Sequence, residues 1–137
     1  MIGLGRGDVR LFEHNKEWKI EGERTVNELR EILGSDAVDI QHVGSTSIKS
    51  IKAKPIIDIA VGTDDFNRIL SHEAELLKAG YHYRPNHDMG GAQLLFACGS
   101  YYEGGDMQTH FIHVVKYNSM EWRNYINFRD YLNTYPE

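Results

Sequence analysis

Cysteine is nearly missing from this chain of 137 residues. Cys98 is the only one, so no internal disulfide can form, which suits a reducing compartment. Proline is scarce as well, and no Pro- or Ser-rich stretch divides the chain into parts. No apolar run approaches the ~18 residues that cross a bilayer. The opening Met1-Ile2-Gly3-Leu4-Gly5-Arg6-Gly7 lacks the apolar block of a secretory signal. These absences predict a cytoplasmic protein with no membrane partner. Basic residues are outnumbered: 15 Lys and Arg face 20 Asp and Glu, a formal net charge of −5. That balance argues against nonspecific binding to nucleic acid. No Gly-x-Gly-x-x-Gly or Walker pattern follows a strand, and no repeat at a period of about 20–50 residues is present.

What is present fits one soluble domain. Hydrophobic residues make up 41% and charged residues 26%, an ordinary globular balance. A chain of this size hides roughly two-thirds of its unfolded surface on folding, enough for one core. Residues 1–8, with three glycines, read as a flexible lead-in to a domain over 9–137. Residues 9–12 read as a short strand or extended arm. Trp18, Val26, Leu29, Ile32 and Leu33 predict a helix over 16–33, capped by Asn15 and stopped by Gly34. Gly22 weakens its middle by roughly 1 kcal/mol relative to Ala. Strands follow at 37–43 and 55–61, the second rich enough in isoleucine for burial on both faces. A helix over 64–79 ends at Gly80. Strands at 81–84, 93–98 and 107–116 precede a helix over 118–132, whose Asn118 and Glu121 resemble a capping box. Short loops between the late strands imply antiparallel pairing. The expected class is α+β (mixed α/β), a mixed sheet flanked by helices.

The most informative stretch is Gln41-His42-Val43-Gly44-Ser45-Thr46-Ser47, which runs on through Lys49, Lys52 and Lys54 to Pro55-Ile56-Ile57-Asp58-Ile59-Ala60-Val61. A strand ends in Gly-Ser, a loop with three lysines and no acid follows, and a buried strand then carries one carboxylate. Gly44 permits unusual backbone angles, and the N–H groups of such a turn can converge on a phosphate, helped by Ser45, Thr46, Ser47 and a lysine. The competing reading is a solvated loop. Strand alternation puts Asp58 with Ile56 and Ala60 on one face. A carboxylate there needs a partner: an ion pair with Lys54, backbone donors, or a divalent metal such as Mg²⁺. Lys54, four residues before Asp58 and fixed as extended by Pro55, belongs on the same strand face.

His42-Val43-Gly44-Ser45-Thr46-Ser47, followed by Ala53-Lys54-Pro55-Ile56-Ile57-Asp58-Ile59, closely resembles the signature of the GrpB family. By fold that family belongs to the polymerase-beta-like nucleotidyltransferase superfamily. Trp18 in an opening helix, Thr109-His110-Phe111-Ile112-His113-Val114-Val115 and Trp122 with Asn127-Phe128-Arg129-Asp130-Tyr131-Leu132 resemble later parts of the same family. The resemblance implies a nucleotidyltransferase-like mixed sheet. It implies that Gly44 and Ser45 form the turn holding nucleotide phosphates, and that Asp58 is the first carboxylate of an Asp-x-Asp or Asp-x-Glu metal pair. The second position is Ala60, which cannot bind metal. Two functions follow as expectations. One is transfer of a nucleotidyl group with Mg²⁺ or Mn²⁺. The alternative is a noncatalytic module that binds a nucleotide or phosphorylated small molecule over a degenerate metal site.

His110 and His113 lie three apart on a predicted strand and so fall on opposite faces. One of them can stand beside Asp58 as a metal ligand or proton carrier in place of the missing carboxylate. His42, just before the Gly-Ser turn, is a further candidate. The expectation is a concave site lined by Ser45, Asp58 and one of His110 or His113. Residues 88–91 and 101–106 read as ordinary connections rather than substrate-facing loops, and no basic residue is seen paired with an aromatic one in the manner of RNA-binding surfaces.

Overall fold

The computed structural model describes residues 2–8 and 10–135. In chain order the elements are β1 (Leu4–Gly5), α1 (Lys16–Leu33), β2 (Asp39–Val43), β3 (Ile57–Thr63), α2 (Phe66–Leu70), α3 (Glu73–Lys78), β4 (His82–Tyr83), β5 (Gln93–Cys98), β6 (Met107–Gln108), β7 (His110–Lys116) and α4 (Met120–Thr134). Five strands form one sheet in the order β2-β3-β7-β5-β4, while β1 and β6 pair separately. β3 and β7 are parallel and the other pairs antiparallel, which makes the sheet mixed and the class α+β. Parallel neighbours cannot be joined by a tight turn, so the chain between β3 and β7 makes α2, α3, β4, β5 and β6 before it returns.

Alternation divides the sheet's side chains between two cores. Ile57, Ile59, Val61, Ile112 and Val114 face α1, where Trp18, Leu29 and Leu33 are buried with Ile69 and Leu76 of the two short helices. On the opposite face Val43, Ala60 and Val115 pack beneath Trp122, with Tyr125 and Ile126 beside it. Thus α4 covers one end of that face. The register Asp58↔Phe111 and Ala60↔His113 carries the face on past the helix, to Asp58, Phe111 and His113.

α1 starts and stops where caps require. The Asn15 side chain accepts from the Glu17 N–H at 2.9 Å, and Gly34 closes the helix. Gly22 has a packing reason: a Cβ there would stand 2.4 Å from His42 Nδ1. Other boundaries differ from expectation. The helix expected over 64–79 is two short ones, since the Ser71 hydroxyl turns back to donate to the Arg68 carbonyl at 2.6 Å while His72 holds Asp36 at 2.8 Å. The cap of α4 is Ser119, whose hydroxyl accepts from the Trp122 N–H, and Asn118 is left-handed at φ 61°. The strand expected over 107–116 splits at Thr109, because Met107–Gln108 turns away to pair with Leu4–Gly5.

The opening segment is held rather than loose. Leu4 is buried, and the Gly3 N–H donates to the Pro55 carbonyl at 2.6 Å. Of residues 9–12, Val9 lies outside the described residues, and Phe12 makes a single antiparallel bridge to Ala53. No helix among the described residues is long and apolar enough to cross a membrane.

Candidate functional site

Gly44 leaves β2 at φ +72° and opens a tight helical turn over Ser45–Ser47. Two constraints select glycine. An L residue is strained at this φ, and a Cβ would meet Asp58 Oδ2 at 2.7 Å and Asp58 Cβ at 2.9 Å. The bare backbone thus lets the turn sit directly against the carboxylate. The N–H groups that open such a turn have no acceptor within it and are available to an anion. Ser45 and Asp58 line one cleft of about 530 Å³, together with Lys52 and Lys54. Its rim is the opening segment, through Leu4, Gly5 and Asp8, and its far wall is Gln108 and Phe111.

The carboxylate's partner is a histidine. His113 Nε2 lies 3.0 Å from Asp58 Oδ1, and both side chains are mostly shielded. Among the described residues no ion pair joins Lys54 to Asp58. β3 begins only at Ile57, so Lys54 reaches the cleft from the loop and not along the strand. His113 Nδ1 is buried without a hydrogen-bond partner. An ionised carboxylate only accepts, so Nε2 carries a hydrogen toward Asp58. The Tyr125 ring lies 5.1 Å from the imidazole.

This donor set does not fit the expected metal pair. Ala60 occupies the second carboxylate position and is fully buried under α4. His113 Nε2 is committed to Asp58, and freeing its lone pair for a metal would move the hydrogen to the buried, unpartnered Nδ1. Among the described residues no three His, Cys, Asp or Glu groups converge on a common point. A Mg²⁺ ion bound through one carboxylate would depend on water and ligand oxygens for the rest of its shell.

Most of the remaining candidates serve other contacts. Thr46 is buried and exchanges a hydrogen bond with His42 Nε2 at 2.9 Å. Its side chain serves the fold, and only its backbone belongs to the turn. The Ser47 hydroxyl donates to the Gly44 carbonyl at 2.5 Å and so braces the turn from within. His42 points to the α1 side, and burial pushes its pKa down to about 4, which keeps it neutral. His110 is also on the α1 side of the sheet. Its Nε2 donates to Glu21 at 2.7 Å, and burial lowers its pKa despite that carboxylate. Glu21 is in turn held below its ordinary value, chiefly by a hydrogen bond from Arg24. Lys49 lies away from the cleft, with its N–H on Asn133. Lys52 reaches the cleft and is 3.7 Å from Glu13, both side chains largely exposed. Of the two strand histidines, the structure brings His113 to Asp58 and sends His110 to a separate cluster.

Sequence reasoning missed several cleft residues, among them Leu4, Gln108 and Phe111. Phe111 had a usable signal, because period two puts it on the face of His113. Leu4 and Gln108 meet only through the β1–β6 pairing.

Comparison with known proteins agrees with this architecture. The profile of the family described as GrpB protein matches residues 8–137. The "Glutamate-rich protein GrpB" of Alkalihalophilus pseudofirmus is 39% identical over 137 residues, an alignment that spans 99% of this chain and 78% of that protein. Among solved structures, the conserved protein GrpB from Enterococcus faecalis superposes with a TM-score of 0.81 at 26% identity, covering 93% of this chain and 74% of that one. A cytoplasmic RNA terminal U-transferase superposes with a TM-score of 0.58 at 18% identity, covering 87% of this chain and 36% of that one. The Cid1 poly(U) polymerase, solved with MgGTP bound, superposes at 0.54 and 16% identity over 89% of this chain and 39% of its own. The last two likenesses are of fold alone.

Proposed function

Since the chain belongs to the GrpB family and has a nucleotidyltransferase-like fold, we propose that its cleft binds a nucleotide or another phosphorylated small molecule. The observation that carries this reading is the junction of the Gly44 turn with two lysines in one cleft. Ser45 and the turn's N–H groups supply short donors, and Lys52 and Lys54 supply charge in a protein that is acidic overall. Phosphate oxygens take hydrogen bonds from Ser45 and the backbone, and Lys54 neutralises them. Lys54 pairs with no carboxylate among the described residues, so it loses no existing partner on binding.

The reading is a binding module, without the two-metal chemistry for which Ala60 leaves no second carboxylate. Calorimetric titration with nucleoside triphosphates, with and without Mn²⁺, tests it. Lys54→Met should weaken triphosphate binding by about 1.5–3 kcal/mol, the scale of a hydrogen bond to a charged group. Unchanged affinity removes Lys54 from the site, and absence of binding by the parent removes the reading.

Retention of Asp58 beside the turn favours a second reading, transfer of a nucleotidyl group. Asp58→Asn separates the two. In a metal-free binding module the substitution removes a repelling charge and tightens triphosphate binding. In a metal-dependent transferase it abolishes both Mn²⁺-dependent binding and pyrophosphate release.

A further inference from the structure

Beyond the Lys54 cleft, the wall formed by Gln108 and Phe111 is shared with a second cleft of about 350 Å³. Two arginines dominate it. The Arg6 guanidinium lies over the Tyr101 ring at 4.8 Å and the Arg84 guanidinium over the Tyr102 ring at 4.8 Å. The two tyrosine rings are 5.0 Å apart, so both cations rest on one aromatic shelf that lines the cleft. His87 and His113 complete the polar lining, and no acidic residue contributes to it. Among the described residues neither guanidinium pairs with a carboxylate. In a chain of net charge −5, two arginines held on aromatic rings and facing a cleft without acid are an uncommitted cationic site. Arg donors match phosphate oxygens, and stacking on a ring orients the guanidinium while leaving its edge N–H groups free. Phe111 adds an apolar ring, half-buried, that borders both clefts.

We propose that Arg6 and Arg84 form a second phosphate-ester subsite, and that the two clefts together take a single-stranded oligonucleotide end. One phosphate lies on the arginine shelf, a base lies against Phe111, and a further phosphate group lies toward the Gly44 turn and Lys54. The combination of cationic groove and aromatic ring is the usual composition of a single-strand track. The assignment rests on the proposed use of the Lys54 cleft only for the second phosphate. The net negative charge of the whole chain weakens the association, and affinity falls with log salt by a slope of about 0.7 per phosphate neutralised on single strands.

Fluorescence anisotropy with a labelled single-stranded hexanucleotide, across a salt series, tests the subsite. Calorimetry with a nucleoside triphosphate on the same proteins reports the Lys54 cleft separately. Arg84→Met and Arg6→Met should each weaken hexanucleotide binding about tenfold and flatten its salt slope, while triphosphate affinity stays at the parental level. Arg84→Lys keeps the charge but not the planar fork, so it should retain most of the parental salt slope while recovering only part of the affinity, a pattern that misfolding would not give. Parental hexanucleotide affinity and salt slope in both methionine variants overturn the subsite while leaving the triphosphate cleft standing. Hexanucleotide binding that depends on the arginines in a protein that binds no triphosphate supports the subsite and overturns the proposed function. If triphosphate weakens as much as hexanucleotide in the arginine variants, the shelf is part of a mononucleotide site and the oligonucleotide assignment fails. A parent that binds no hexanucleotide also overturns it.

Discussion

At the scale of single residues, Gly44 carries two demands at once. Gly44→Ala strains a backbone at φ +72° and drives a methyl to 2.7 Å from Asp58 Oδ2. The expected cost is about 1–3 kcal/mol of stability, the scale of a strained backbone position, with loss of triphosphate binding because the turn must move off the carboxylate. Chemical denaturation and titration of the folded fraction measure the two effects. His42 gives a pH dependence. Burial lowers its folded-state pKa to about 4 from an ordinary 6.5. The unfolded chain then binds a proton that the fold rejects, so the contribution is complete above about pH 6.5 and is lost as pH falls toward 4. At about 1.4 kcal/mol per pH unit the loss reaches roughly 3 kcal/mol at most. Burial of His110 acts in the same direction, and so does Glu21, whose lowered pKa makes its contribution fade with further acidification. Urea unfolding across pH 7 to 4.5 should show falling stability in the parent and a shallower slope in His42→Gln, which keeps an amide for Thr46 and cannot take the proton.

At the scale of elements, helix propensity and packing oppose each other at Gly22. Propensity alone favours Gly22→Ala by roughly 1 kcal/mol. Its new methyl would lie 2.4 Å from His42 Nδ1 and 2.8 Å from Cγ, inside a ring that is hydrogen-bonded to Thr46. We expect net destabilisation of about 1–3 kcal/mol, the usual cost of overpacking, read as a lowered urea midpoint. α1 has the same bounds in the structure as in the periodic pattern, since its caps and stripe are local. β5 is likewise legible because a short apolar run between glycine-bearing loops marks it. The division of 64–79 into α2 and α3 was hidden. The stripe of Ile69 and Leu76 continues through both, while the break depends on His72 reaching Asp36 far back in the chain.

At the scale of the whole molecule, the chain's beginning closes onto its second half. β1 pairs with β6, and Leu4 is buried while lining the cleft. Leu4→Ala should cost about 2–5 kcal/mol, as for other buried leucines, and should weaken triphosphate binding by loosening the rim. Thermal melts with and without triphosphate check both parts. The same closure redistributes charge. Lys52, Lys54, Arg6 and Arg84 come from three separate stretches and gather along adjoining clefts in a protein with a formal charge of −5. Basic–aromatic pairing, invisible along the chain, arises because Arg6 meets Tyr101 and Arg84 meets Tyr102 only after folding.

The sequence by itself determined the parts whose causes act over a few residues. Those are the capped helix α1, the doubly buried strand β3, the glycine turn with Asp58 one strand away, and the departure at Ala60. It also required His110 and His113 to face opposite sides of the sheet, since side chains alternate along any strand. Which of the two meets Asp58 was decided by tertiary structure. The parallel pairing of β3 with β7 puts Phe111 opposite Asp58 and sets His113 two residues further along the same face. On the other face α1 brings Glu21 to His110. A one-residue slip in that pairing would exchange the two histidines, and no signal within either strand sets its register against the other. Register follows from burying Ile57, Ile59, Ile112 and Val114 together under α1, a choice made by the core as a whole.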